Sequence, residues 1–257
     1  MDTCMEERSV WASFSRGVSY LLHPFLMPVW LLLILFGTGI LPIYLPVGIK
    51  RYILMVVTVD TLVVPALGIL LMRVFGLLGD FSLSRRHERT LPMLIVALCY
   101  GLCGWMLGSS PMLFLLRRMM FAAMACTLFA LLVNLRWQVS LHMTAAGAAT
   151  GMVAILLYAG YTNLVWVFCG AVLCSGVLGS ARLCLGKHTP AQVAVGFAGG
   201  FLLAVAVLPL SGRYRMYPFQ VACPIPLCPQ HLFDDVAYTA VAAGEFRYVA
   251  RSLDDFA

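Results

Sequence analysis

The sequence predicts an all-α, polytopic transmembrane helix bundle, and three observations carry that prediction. Hydrophobic residues make up 62% of the 257-residue chain and charged residues only 11%, less than half of the roughly 25% charge that wets a soluble domain. The charges are segregated, with long stretches that carry none and clusters between them. Small residues recur at four-residue spacing inside those stretches: Gly104 and Gly108, Gly147 and Gly151, Gly196 and Gly200. Such faces let helix backbones approach closely in lipid, where apolar burial supplies no drive for association. Together these features exclude a soluble enzyme, a disordered chain and a nucleic-acid module. The lipid bilayer is the expected environment, and nothing in the sequence specifies an oligomer.

Each span follows from the cost of placing a charge at the bilayer centre. The first charge-free run covers about Tyr20 to Leu41, long enough to cross a core of roughly 30 Å. Glu6 and Glu7 occupy what would be a basic n-region, so this run reads as a retained helix rather than a signal peptide. The second covers Tyr52 to Leu78 with Asp60 inside it. The third and fourth cover Leu91 to Gly108 and Met119 to Leu135. The uncharged stretch from Trp137 to Ala181 is too long for one helix. Split at Gly160-Tyr161-Thr162-Asn163, it gives a fifth span, Met143–Ala159, and a sixth, Leu164–Leu183. A seventh covers Gln192 to Leu210, so the bundle has six or seven spans.

The expected organisation is an N-terminal segment (1–19), a bundle (20–210) and a polar tail (211–257) that holds a Pro-rich stretch and a short helix near 234–251. Of the nine Cys, Cys99, Cys103, Cys126, Cys169, Cys174 and Cys184 lie in or beside apolar runs, where a thiol acts as a small hydrophobe. Only Cys223 and Cys228 are set for a bridge, and no Cys/His pattern suggests a metal.

The polar residues fall into three groups. The first is Ser84-Arg85-Arg86-His87-Glu88-Arg89-Thr90-Leu91-Pro92, the second Trp137-Gln138-Val139-Ser140-Leu141-His142, and the third Ser180 to Gln192. Two spans separate each group from the next, and an even number of crossings returns the chain to the same face. Arginine forks match phosphate oxygens. A neutral His can attack phosphorus, and a protonated one can supply the leaving oxygen's proton. No magnesium-binding carboxylate cluster accompanies the Arg-rich loop, which favours transfer without a metal or other cofactor. A site at the bilayer surface meets the phosphate headgroup of a lipid.

These residues resemble the type-2 phosphatidic acid phosphatase superfamily of membrane lipid phosphatases over roughly residues 80 to 205. That family's third motif is Ser-Arg, five residues, His, three residues, Asp; here Arg182 is followed after five residues by His188 and after three more by Gln192. Ser140-Leu141-His142 is similar to its second motif, and Arg86-x-x-Arg89-x-x-Pro92 is a looser version of its first. The resemblance implies a phosphatase in which His188 forms a phosphohistidine and His142 is the general acid. It further implies that Arg182, Arg86, Arg89 and the Ser140 hydroxyl bind phosphate oxygens. Gln192 stands where the family's Asp supports the nucleophile, and can accept the imidazole N–H without supplying a charge. The resemblance also implies a plasma or inner membrane protein with its site on the extracytoplasmic face. With the phosphate-binding arginines set aside, the loop cations nearly balance across the bilayer and do not set the orientation.

The alternative is a non-catalytic bundle that binds or transports lipid phosphates. Asp60 divides evenly between a functional group and a protonated helix–helix contact. His23 and His87, with no partner in the sequence pattern, are read as interfacial.

Overall fold

The computed structural model describes residues 2–40, 46–76, 86–108 and 113–208, with the side chains of 2–10 and 86–88 outside that set. The chain divides into a unit of Met1–Met216 and a second of Tyr217–Ala257. The tail expected from 211 onward, with Cys223 and Cys228, lies outside the described residues. Among those described there is no strand. The helices are α1 (Asp2–Leu21), α2 (Met27–Gly37), α3 (Val47–Thr58), α4 (Val64–Val74), α5 (Arg86–Met106), α6 (Phe114–Asn134), α7 (Leu141–Tyr158), α8 (Val165–Cys184) and α9 (Pro190–Val207).

Among the described residues, six helices are long and apolar enough to cross a membrane: Val47–Val74, Arg89–Met106, Phe114–Asn134, Leu141–Tyr158, Thr162–Cys184 and Pro190–Val207. The first joins α3 to α4 through a π turn, Val59–Val63, that contains Asp60. Many large apolar side chains face outward, as lipid contact requires. Trp105, Tyr158 and Trp166 are more than four-fifths exposed and sit at the end of α5, the end of α7 and the start of α8. They mark one interface of the bundle with amphipathic rings. The three polar groups belong to the opposite ends of the same helices.

The run expected as the first span is not one helix, and this corrects the sequence reading. Tyr20 and Leu21 end α1, the chain turns through Leu22 to Leu26, and α2 carries on for 11 residues, about 16 Å at 1.5 Å per residue. Pro24 supplies the physical reason, since it has no N–H for a helix ladder. The turn is built into the bundle. Its backbone acceptors are met from outside: Trp30 Nε1 donates to the Leu21 carbonyl (3.1 Å), Tyr100 Oη to Pro24 (3.4 Å) and Thr61 Oγ1 to Phe25 (3.5 Å). Such groups must find partners where water is scarce.

α7 is the central helix, buried on most of its circumference, and it packs most closely on α9. The two glycine pairs meet here. A Cβ on Gly147 would collide with the Phe197 carbonyl, one on Gly200 with the Thr144 carbonyl, and one on Gly196 would come within 2.9 Å of the Ser140 carbonyl. Backbone-to-backbone approach of this kind is possible only for glycine, and it brings the start of α7 beside the start of α9. The pair expected at Gly104 and Gly108 divides: Gly104 packs against Phe121, whereas Gly108 has a φ of 66° and ends its helix.

Candidate active site

The turn between α8 and α9 follows from its own sequence. Gly186 takes a φ of 61°, the left-handed conformation that stops a helix and costs a Cβ-bearing residue energy. Thr189 is then the N-cap of α9, Pro190 its first residue, and Gln192 its third. Gln192 N–H donates to Thr189 Oγ1 (3.4 Å), and Thr189 N–H donates to Gln192 Oε1 (3.1 Å). This is a capping box. It holds His188 between the last turn of α8, which carries Arg182, and the first turn of α9.

The same Gln192 oxygen meets His188 Nδ1 at 3.2 Å. The Thr189 amide can only donate, so the atom it meets is the amide oxygen rather than the amide nitrogen. A carbonyl oxygen accepts, so His188 carries its proton on Nδ1 and leaves the Nε2 lone pair free. Burial, the largest cause, holds this imidazole below its ordinary range. The Gln192 contact opposes that effect, while Arg182 and Arg89 add to it. His188 is therefore a neutral base near pH 7.

His142 lies in the first turn of α7. Its Nε2 is 3.2 Å from the backbone carbonyl of Ser19, 123 residues away on α1, so Nε2 carries a proton and Nδ1 is the atom that can gain or give one. Arg182 donates to the Ser19 hydroxyl (3.5 Å), and its buried Nε has no partner among the described residues. A partly buried guanidinium with spare donors is a site for an anion.

His188, His142, Arg182 and Arg89 all line one cavity of about 410 Å³, within the usual size of small-molecule sites. Its polar end is made by these four residues with His23. The rest is mostly apolar, walled by α2, α5, α6 and α7 through Leu31, Met93, Val96, Met119, Met120 and Met152, with Tyr100, Thr127 and Thr144 among them. Thus one compartment joins a cationic end to a hydrocarbon-like body.

Ser140 is not among the residues lining this cavity. It is fully buried, and its hydroxyl has no partner among the described residues. Its N–H donates to the Gln192 carbonyl (3.4 Å), tying the start of α7 to the start of α9. Arg86 is the first residue of α5, and its side chain, like those of His87 and Glu88, lies outside the described residues. Asp60 is buried with an unpartnered Oδ2 and lies beside Cys103, away from the cavity lining. Among the described residues no three His, Cys, Asp or Glu side chains are grouped to hold a metal ion.

Sequence reasoning missed two contributors, both from the α1–α2 corner. The Ser19 carbonyl orients His142, and His23 stacks edge-on against His142 with ring centroids 5.3 Å apart. The only available signal was the His23-Pro24 pair, a helix stop that also carries a polar ring. Compared with known proteins, the chain matches no family model, no curated protein and no solved structure.

Proposed function

We propose that this chain is an integral membrane lipid phosphate phosphatase of the type-2 phosphatidic acid phosphatase kind, working through a phosphohistidine. The observation that carries the reading is the cavity, whose cationic, histidine-bearing end continues into an apolar body. A phosphate at the polar end would place its hydrocarbon among the methionines and leucines between α2, α5, α6 and α7.

In this reading His188 Nε2 attacks phosphorus, and the bond from phosphorus to the lipid oxygen breaks. His142 takes up a proton on Nδ1 when the phosphate dianion binds beside it; the leaving oxygen receives that proton, while Nε2–H of His142 stays on the Ser19 carbonyl. Water then attacks the phosphohistidine and returns a proton to His142. Inorganic phosphate departs and His188 is restored. Arg182 and Arg89 neutralise the equatorial oxygens, which is where charge resides during phosphoryl transfer. Gln192 holds the His188 tautomer that makes Nε2 the nucleophile. By the family resemblance, the site faces the extracytoplasmic side of a plasma or inner membrane.

The test is phosphate release in detergent, with chelator present, from phosphatidic acid, phosphatidylglycerol phosphate, a polyprenyl diphosphate and a lipid A phosphate. Release from at least one, abolished in His188→Ala, is expected. Turnover that requires added magnesium or survives His188→Ala would overturn the reading. A non-catalytic lipid-phosphate binder uses the same cations, and the neutral Gln192 favours it. It would bind orthovanadate without hydrolysing any member of the panel.

A further inference from the structure

We propose that His23 is a further phosphate-binding residue of this site, donating a neutral Nε2–H to a phosphoryl oxygen. The proposal rests on the reading of the cavity as a lipid-phosphate site and adds to it a residue from outside the three polar groups.

Hydrogen bonding fixes the tautomer of the ring. The backbone N–H of Phe25 donates to His23 Nδ1 at 3.4 Å. An amide N–H cannot accept, so Nδ1 is the acceptor and the neutral ring's proton is on Nε2. No described residue is hydrogen-bonded to Nε2, and His23 lines the cavity beside His142, Arg182 and Arg89. His142 is in the reverse state, with its Nε2–H directed to the Ser19 carbonyl. Of the two stacked imidazoles, His23 is the one with an uncommitted N–H in the neutral form.

The ring is also held in place. The Leu21, Pro24 and Phe25 carbonyls are bonded by Trp30, Tyr100 and Thr61, from α2, α5 and the π turn. The ring packs edge-on against both Phe25 (4.8 Å between centroids) and His142 (5.3 Å). A donor placed this way needs no reorganisation when charge develops on the phosphoryl oxygens.

The neutral form is favoured for two further reasons. Burial, chiefly, and the nearby Arg182 guanidinium lower the affinity of His23 for a second proton. That proton would also have to go on Nδ1, where it would displace the Phe25 amide. With His188 also neutral, a bound phosphate dianion meets the charges of Arg182, Arg89 and protonated His142, and His23 adds a neutral donor.

The experiment uses the full-length protein in detergent at pH 7.5, with orthovanadate and inorganic phosphate as probes. His23→Phe keeps the ring packing and removes the donor; His23→Gln places an N–H near the same point. Expected is a roughly 10-fold loss of vanadate affinity in His23→Phe, as for one bond to a charged acceptor, with His23→Gln within about 3-fold of wild type. Wild-type affinity in His23→Phe, or equal losses in both variants, would overturn the proposal. A second measurement needs no variant. The ¹⁵N spectrum of His23 should show one protonated nitrogen, Nε2, from pH 6 to pH 8, with a shift on adding vanadate. A doubly protonated ring, or no shift, would also overturn it. If hydrolysis is absent yet vanadate binding depends on His23, the phosphatase reading falls and this proposal stands. If hydrolysis proceeds and His23→Phe changes neither hydrolysis nor vanadate affinity, the reverse holds.

Discussion

Replacing Gln192 by Glu tests the wiring of the nucleophile with little disturbance to the fold. Glu has the same reach as Gln, so one oxygen can still accept from the Thr189 amide and from His188 Nδ1, now 3.1 and 3.2 Å from Gln192 Oε1. What changes is the charge. A hydrogen bond to a charged group is worth about 1.5–3 kcal/mol against about 0.5–1.5 for a neutral pair. The difference of about 1–1.5 kcal/mol corresponds to roughly one pKa unit, or about tenfold in a rate. The carboxylate should also suit the N-terminus of α9, adding about 0.3–1 kcal/mol of helix stability. Two effects on turnover follow. The acid limb of the pH–rate profile, set by protonation of His188, moves up by about one unit. Above it, the rate of phosphohistidine formation rises by about tenfold, because the cationic intermediate gains a counter-charge. The assay is rapid-quench phosphorylation of the purified protein across pH 5–9. An unshifted acid limb with an unchanged rate would refute the contact as the tuning element, and a tenfold loss would refute the role of His188. Weaker vanadate binding with no turnover in either protein would favour the non-catalytic reading.

The remaining predictions concern stability. Gly147→Ala should destabilise the bundle by about 1–3 kcal/mol through overpacking against the Phe197 carbonyl, whereas Gly170→Ala, with nothing within 4 Å of its added Cβ, should be neutral or slightly stabilising. Thermal unfolding in detergent compares the two, and equal effects would contradict the α7–α9 approach. His23 and His188 both hold protons less readily in the fold than in the unfolded chain. Folding is then favoured above the unfolded value of about 6.5, and stability declines as pH falls from there toward their lower folded values. A Tm that falls between pH 7 and pH 5, less steeply in a His23→Gln variant, is expected.

The bundle was legible because lipid imposes a simple rule: charge-free runs of sufficient length span, and charges lie between them. The Gly147/Gly151 and Gly196/Gly200 faces were legible for a related reason, as close backbone approach needs residues without side chains. Gly108 has the same spacing and a different use, which spacing alone does not distinguish. α1 was missed because Asp2, Glu6, Glu7, Arg8 and Arg16 make it amphipathic, and a search for apolar runs passes over such a helix. The corner at His23-Pro24 lies inside a run that is continuous by hydropathy, so the turn emerges only from the proline's missing N–H. The roles of His23 and Ser19 depend on a partner, His142, brought over by folding. Ser140 shows the opposite limit. The family resemblance implied a Ser140 hydroxyl on the phosphate, but that hydroxyl is buried off the cavity lining, and the backbone N–H of Ser140 makes the α7–α9 contact.

The most direct test of the central claim is to trap the covalent intermediate. The purified chain, mixed with a ³²P-labelled lipid phosphate in detergent and chelator and quenched within milliseconds, should carry label that is stable in alkali and labile in acid, as a phosphohistidine is. The label should map to His188, and His142→Ala should slow its appearance. Hydrolysis with no labelled protein, or label on any residue other than His188, would contradict the account.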